Sequence, residues 1–321
     1  MRLKLLIRAA LLIAACAFSA AAFAQAFPSK PIKIVVAFGP GGSADISARA
    51  FGQYVEQQTK QSVVIENKPG ANGIIGTELV RAAAPDGYTL QLITNTTHAA
   101  NLSLYKKVPY DPVKDFEYIG LFGTFGSVAT VPADSNIKSI ADLVNYSKAN
   151  PGKVFYGYYN SASQMSAELF RAKTGANLTG VSYKAIGNAL TDLMGKQIQV
   201  VFLEYLPALP QIEGGKLTGL GVTGTARYKP WPNIPAIAES YPGFELTSYL
   251  GLAAPAGTPP EVLDTLHGLM AKALADPAMR AQFEKLGLAL RPMSRSEFKT
   301  FAAGEVGRWR EYVKTAGIQP E

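Results

Sequence analysis

A glycine-rich turn near the start of the chain joins an apolar segment to a helical pattern. Residues 34–45 read IVVAFGPGGSAD, so an apolar strand runs through Gly-Pro-Gly-Gly-Ser directly into a helix. The first turn of a helix leaves backbone N–H groups unpaired, and the helix dipole places partial positive charge there. Such a turn binds anions, most simply a carboxylate or a phosphate. The turn therefore predicts capture of a small acid, with candidate contacts at Phe38, Pro40, Gly41, Gly42 and Ser43.

Three further loops that follow predicted strands carry hydroxyl and amide side chains. They span residues 94–98, 160–164 and 185–188, and the last two come directly before predicted helices. Ligands of open α/β sheets bind beyond the carboxyl ends of the strands. Turn formation explains each loop alone, because Ser, Asn and Gly are common turn residues, but four such loops together favour a ligand site. The candidate contacts in these three loops are Thr94, Asn95, Thr96, His98, Asn160, Ser161, Ala162, Ser163, Ala185, Ile186 and Gly187.

Acidic and aromatic residues lie near the same predicted strand ends. Asp45 falls in the first turn of its helix, where a carboxylate offsets the helix dipole, and this structural role is favoured over contact with an anion. Glu204 follows the predicted strand 199–203, and it either faces the cleft or is a solvated loop acid. Tyr158 and Tyr159 must point to opposite faces of an extended strand, so at most one of them reaches the cleft through the strand.

The residue types argue against an enzyme. Ser43 lies in a turn similar to a nucleophile elbow, but the closing glycine of G-x-S-x-G is missing. Beyond the leader the chain has His98 and His267, no cysteine and no G-x-x-x-x-G-K-[ST] motif, so neither a zinc site nor a nucleotide P-loop is indicated. We therefore predict a binding protein without cofactor or metal. A secreted hydrolase that uses Ser43 and His98 is the alternative from another class.

Residues 1–24 have the pattern of a cleaved secretory signal peptide. A basic start precedes an apolar run and the small-x-small cleavage site Ala22-Phe23-Ala24. The rival interpretation is a lipoprotein signal, because the residues up to Cys16 resemble a lipobox. Removal of the leader takes away three basic residues and no acidic ones, so the net charge falls from +7 to +4. No basic cluster interleaved with aromatic residues is present, which argues against a nucleic-acid partner.

Predicted strands alternate with predicted helices along the mature chain. Strands at residues 33–38, 63–67 and 88–94 form one series, a second series follows the glycine-rich residues 120–126, and three helices close the chain. This order predicts an α/β fold of two domains, each a mainly parallel sheet flanked by helices. Two crossover strands between the domains would act as a hinge around a ligand cleft. The predicted domain 1 comprises residues 25–123 and 251–321, and the predicted domain 2 comprises residues 124–250.

The chain resembles the substrate-binding proteins of tripartite tricarboxylate transporters, the TctC or Bug family. Matching stretches keep family order across nearly the whole mature chain and include FPSKPIKIVVAFGPGGSADISAR, VVIENKPGANGIIGTELV, VSYKAIGNALTDLMGKQI and GLAAPAGTPPEVL. The resemblance implies a monomeric periplasmic binding protein of type II-like fold that delivers its ligand to membrane permease subunits. A receptor that presents the ligand to a sensor kinase is the alternative.

The resemblance also implies how the ligand is held. Backbone groups and ordered waters would grip the ligand carboxylate, with residues 40–43 on one side and residues 160–163 and 185–187 on the other. Many relatives have Asp where this chain has Leu203, and that acid receives the amino group of amino-acid ligands. Its absence and the nearby tyrosines suit an aromatic ring. We therefore predict an aromatic dicarboxylate such as terephthalate, with an aliphatic di- or tricarboxylate as the alternative.

Overall fold

The computed structural model describes residues 27–285 and 287–321, so the predicted signal peptide lies outside the described residues. The strands are β1 (Ile32–Val36), β2 (Val63–Asn67), β3 (Thr89–Thr94), β4 (Phe116–Phe125), β5 (Ser127–Pro132), β6 (Phe155–Tyr158), β7 (Thr179–Ser182), β8 (Val200–Glu204), β9 (Leu217–Val222), β10 (Ser248–Pro255) and β11 (Ala289–Leu290). The helices are α1 (Ser43–Thr59), α2 (Ile74–Arg81), α3 (Asn101–Leu104), α4 (Ile140–Ala149), α5 (Ser161–Thr174), α6 (Ile186–Met194), α7 (Tyr205–Glu213), α8 (Ile237–Ser240), α9 (Pro260–Ala275), α10 (Pro277–Lys285) and α11 (Arg295–Thr315). No helix in the described ranges combines the length and the apolar character that crossing a membrane requires.

The strands form two separate sheets, each flanked by helices, which confirms the predicted fold class. The first sheet has the order β11-β4-β10-β3-β1-β2, and the second has the order β7-β6-β8-β5-β9. Both sheets are mixed rather than mainly parallel. β1 is parallel to β2 and β3, whereas β10 is antiparallel to β3 and β4, and β5 is antiparallel to β8 and β9.

The chain crosses between the two sheets at two neighbouring places. Only Gly126 separates β4 of the first sheet from β5 of the second, and the return path runs from Val222 to Ser248. Thr223 fastens both crossings, because its Oγ1 accepts a hydrogen bond from the Ser127 N–H at 2.8 Å and donates one to the Leu246 carbonyl at 2.8 Å. The crossings lie close to the domain boundaries predicted at residues 123 and 251. The division into two domains at these residues stays a prediction.

Three helices begin two or three residues earlier than the sequence predicted. α1 begins at Ser43 instead of residue 46, α5 at Ser161 instead of residue 163, and α6 at Ile186 instead of residue 188. Each earlier start extends the helix into the loop that was expected to bind the ligand. The candidate loops before α5 and α6 are therefore largely first turns of helices, where backbone N–H groups lack helical partners, and the turn before α1 contributes Ser43 to its helix.

Candidate functional site

A cavity of about 750 Å³ lies between the two sheets. Residues at the amino ends of α1, α5 and α6 line it from different sides, together with the residues that follow β3. The two sides approach each other closely, because a Cβ atom added to Gly39 would lie 3.3 Å from the Cβ of Ala185. Three helix dipoles therefore direct partial positive charge into this cavity.

Most of the residues predicted for the site line this cavity. They come from both sheets and from all four candidate loops, and they are Phe38, Gly42, Ser43, Thr94, Asn95, Thr96, Tyr158, Tyr159, Asn160, Ala162, Ala185, Ile186 and Glu204. The predicted residues that do not line it are Pro40, Gly41, Asp45, His98, Ser161, Ser163, Gly187 and Leu203. The predicted residues that do not line the cavity are either exposed, buried in the core or bonded within the turns and helix caps.

Gly41 and Asp45 shape the turn before α1. The Gly41 N–H donates to Asp45 Oδ2 at 3.0 Å, and Arg49 donates to both carboxylate oxygens of Asp45. Burial raises the pKa of Asp45, but the hydrogen bonds from Arg49, Gly41 and Asn67 outweigh it and hold the pKa below its usual value. Asp45 is thus an ionised structural residue of the turn, the role that the sequence favoured. Pro40 is exposed on the outer side of the same turn.

The serines at the start of α5 form hydrogen bonds with other residues of the protein. Asn160 caps this helix, since its Oδ1 accepts a hydrogen bond from the Ser163 N–H at 2.9 Å, and Ser163 Oγ returns a bond to the Asn160 carbonyl at 3.0 Å. Ser161 Oγ accepts a hydrogen bond from Asn72 Nδ2, which belongs to the opposite side of the cavity. Gly187 is exposed on the outer face of α6.

The placement of His98 and Leu203 in the cleft was wrong. His98 is fully buried against the rings of Phe116 and Tyr118, with centroids 4.8 and 6.0 Å away, and its Nδ1 lies 3.0 Å from Thr97 Oγ1. Burial lowers the pKa of His98 to about 3. Leu203 is also fully buried, because neighbouring strand residues point to opposite faces and its neighbour Glu204 takes the cavity side. Leu203 therefore does not make the cleft less polar.

Both tyrosines of the adjacent pair line the cavity, but only Tyr158 belongs to the strand. β6 ends at Tyr158, so Tyr159 lies in the loop and is released from strand alternation. Burial raises the pKa of Tyr159 well above its usual value, and the nearby Glu204 carboxylate adds to this effect. The phenol of Tyr159 is therefore neutral at physiological pH.

The sequence interpretation missed a fifth loop and several aromatic residues of the cavity wall. Residues 69–73 were not among the candidate loops, yet they line the cavity and follow β2, which is parallel to β1 and ends at the same edge. The rule that selected the other loops would have found them. The missed aromatic residues are Tyr105, Phe125 and Tyr183, and the other missed lining residues include Ser182, Lys184, Leu250 and Glu321.

Two polar side chains of the cavity wall lack protein partners. Ser43 Oγ and Asn95 Nδ2 are buried without a hydrogen-bond partner among residues 27–285 and 287–321, and their residues are 3% and 2% exposed. Both groups can donate to a carboxylate oxygen. Lys184 is the basic residue among the described lining residues, and it is largely exposed. Within the described part of the chain, no group of three or more His, Cys, Asp or Glu side chains could hold a metal ion.

Two mixed-sheet α/β units joined by two crossings, with a polar and aromatic cavity between them, define a periplasmic binding protein fold. The model of the tripartite tricarboxylate transporter family receptor matches residues 47–318. The chain belongs to this family. Its members are solute-binding proteins of the periplasm.

Individual relatives agree with this assignment. Protein BugT of Bordetella pertussis is 31% identical over 321 residues, which cover 98% of each chain. The solved structure of R. palustris Rpa4515 with adipate is 30% identical, with a TM-score of 0.89 over 92% of this chain and all of that chain. The structure of the periplasmic binding protein BugD is 32% identical, with a TM-score of 0.87 over 92% of this chain and all of that chain.

Proposed function

We propose that this protein is exported to the periplasm, captures an aromatic dicarboxylate such as terephthalate, and delivers it to the membrane subunits of a tripartite tricarboxylate transporter. The observation that carries this proposal is the cavity between the sheets, where three helix amino ends meet an aromatic wall. The helix ends and the unpartnered groups of Ser43 and Asn95 provide donors for carboxylate oxygens. No catalytic step is proposed.

The aromatic wall supports a ring-shaped ligand. Phe38, Tyr105, Phe125, Tyr158, Tyr159 and Tyr183 line the cavity. Aromatic rings pack favourably against one another in offset or edge-to-face arrangements, with about 0.5–1.5 kcal/mol gained per pair beyond the burial of area. A benzene dicarboxylate would place its ring against this wall and its charged ends near backbone amides. The wall supports this choice even though Leu203 does not contribute to it.

An aliphatic dicarboxylate is the second candidate. Rpa4515, which has a similar fold and 30% identity, was solved with adipate. Adipate and terephthalate both carry two carboxylates at opposite ends, so the donors of the cavity suit either one. The aromatic wall favours terephthalate for this chain.

A thermal-denaturation screen of residues 25–321 tests the ligand class. We expect terephthalate to raise the melting temperature, because a ligand that binds only the folded state adds about 1.4 kcal/mol of stability at ten times its Kd. The panel also contains phthalate, benzoate, adipate, succinate, citrate, aspartate and glutamate. A shift confined to the aliphatic acids would replace the aromatic ligand with the second candidate. A flat response to the whole panel would contradict the proposal of a carboxylate ligand.

Copurification tests the proposed partner. We expect membrane subunits of a tripartite transporter to be retained by the ligand-loaded protein, because a receptor delivers cargo in its closed form. Retention of a sensor kinase in their place would show that the protein reports the ligand instead of transporting it. The ligand-free protein serves as the control.

A further inference from the structure

The carboxylate of Glu204 connects the two sides of the cavity. Glu204 ends β8 in the second sheet and is 6% exposed. Its Oε2 accepts a hydrogen bond from the Ser43 N–H at 3.2 Å, and its Oε1 accepts one from Asn160 Nδ2 at 2.9 Å. Ser43 is the first residue of α1, next to the first sheet, and Asn160 is the N-cap of α5. One side chain thus bridges the first backbone amide of α1 and the N-cap side chain of α5.

The orientation of the Asn160 amide supports this arrangement. Asn160 Oδ1 accepts the cap hydrogen bond from the Ser163 N–H, so its Nδ2 group is the one that faces Glu204. Both contacts of Glu204 are therefore hydrogen bonds from a donor to a carboxylate oxygen. Such charge-assisted bonds are stronger than bonds between neutral groups.

The position of the Glu204 carboxylate at the start of α1 would also suit a carboxylate of the ligand. An anion at the start of a helix gains from the unpaired amides and from the dipole, and Glu204 already gains both at α1. Ser43 offers a second donor, the buried Oγ without a partner, which lines the cavity beside the occupied amide. A ligand carboxylate bound to that hydroxyl would lie close to the Glu204 carboxylate. Like charges in an enclosed site repel each other, and only the exposed Lys184 brings a basic side chain to the described cavity wall.

We propose that Glu204 is an internal competitor of the ligand: its carboxylate accepts hydrogen bonds from the Ser43 amide at the amino end of α1 and from the side chain of Asn160, the N-cap of α5, and it releases the Ser43 amide when an organic acid binds. This inference rests on the proposed function. Glu204 thereby lowers the affinity for acids, because a ligand carboxylate must displace the Glu204 carboxylate from the Ser43 amide. A neutral molecule of the same shape has no charge with which to displace it.

The isosteric change Glu204→Gln tests the competition. Glutamine keeps the size of the side chain and an oxygen that can accept from the Ser43 N–H, but it removes the competing charge. We expect the Kd for terephthalate or adipate, measured by calorimetry, to fall at least tenfold, which corresponds to about 1.4 kcal/mol. Glu213→Gln is the matched control, since Glu213 is an exposed residue of α7 away from the cavity wall, and its Kd should equal that of the wild type.

Two results for Glu204→Gln would contradict the proposal. An unchanged Kd in Glu204→Gln means that the carboxylate does not compete, and a higher Kd means that the carboxylate supports binding by holding Ser43 and Asn160 in place. Glu204→Ala is measured in parallel in case Glu204→Gln does not fold. Either variant can be compared with the wild type if its circular dichroism spectrum is native. If the wild type and both variants bind none of the acids, the proposed function itself fails, and this inference falls with it. Tight binding by Glu204→Gln alone would support the competition most strongly.

Discussion

Replacement of Gly42 by valine should reduce carboxylate affinity at least a hundredfold and leave the fold intact. Gly42 is the N-cap of α1 and lines the cavity, and a Cβ added there meets no atom within 4 Å. Its φ of −82° is accessible to valine, so the change introduces no backbone strain. The branched side chain would fill the space over the first helical turn and block close approach of an anion to the amides. The loss corresponds to about 2.7 kcal/mol of binding free energy.

Calorimetry against the tightest acid of the panel measures this effect, and urea denaturation checks the fold. Gly304→Val is the control, because Gly304 in α11 is exposed and also leaves open space for a Cβ atom. Ser43→Ala separates backbone from side chain, and it should cost less than Gly42→Val if the amides carry the grip. Wild-type affinity in Gly42→Val would show that the ligand does not approach the amino end of α1.

The stability of the protein should fall by about 2 kcal/mol between pH 7.5 and pH 5 because of His98 alone. Burial lowers the pKa of His98 from its ordinary value of 6.5 to about 3 in the folded protein. Between these two values the unfolded chain binds a proton that the folded chain does not bind, so unfolding is favoured as the pH falls. The stabilisation is fully present above pH 6.5, and it is lost progressively as the pH falls towards 3.

Urea denaturation of the wild type and of His98→Phe across this pH range isolates the effect. Phenylalanine suits the ring-lined pocket of Phe116, Tyr110 and Tyr118 and cannot take up a proton. We expect the variant to lose less stability than the wild type between pH 7.5 and pH 5. Equal dependence in the wild type and His98→Phe would contradict the burial of a neutral imidazole.

The sequence predicted the elements that hold apolar runs between clear turn residues, but it missed β4 and β5. Glycines interrupt β4, and a glycine lowers strand propensity when only local sequence is considered. The structure shows why they are there: a Cβ added to Gly123 would lie 2.5 Å from the Ala289 carbonyl oxygen, and one added to Gly120 would lie 2.4 Å from Met270 Sδ. These contacts join residues more than a hundred positions apart, so no local pattern reveals them.

The candidate site was predictable to the extent that it depends on strand ends and helix starts. The turn at Gly42 and the cap at Asn160 carry local signals, because small and polar residues interrupt apolar runs there. Residue type alone could not place His98, since a histidine after a strand can enter either a cleft or a core. The contact between Glu204 and the Ser43 amide depends on how the two sheets face each other, and no spacing along the chain encodes it.

The fastening of the two crossings by Thr223 constrains how the cavity can open. β4 and β10 are ladder neighbours up to the point of crossing, where Phe125 pairs with Ser248, and Gly126 alone separates β4 from β5. We expect the two sheets, each with its helices, to turn about an axis through these strands, because a rotation at such short crossings changes few backbone torsions. Each half stays preformed during such a rotation, so capture of a ligand orders little additional chain. The entropic cost that weakens binding by flexible loops is consequently small for this architecture.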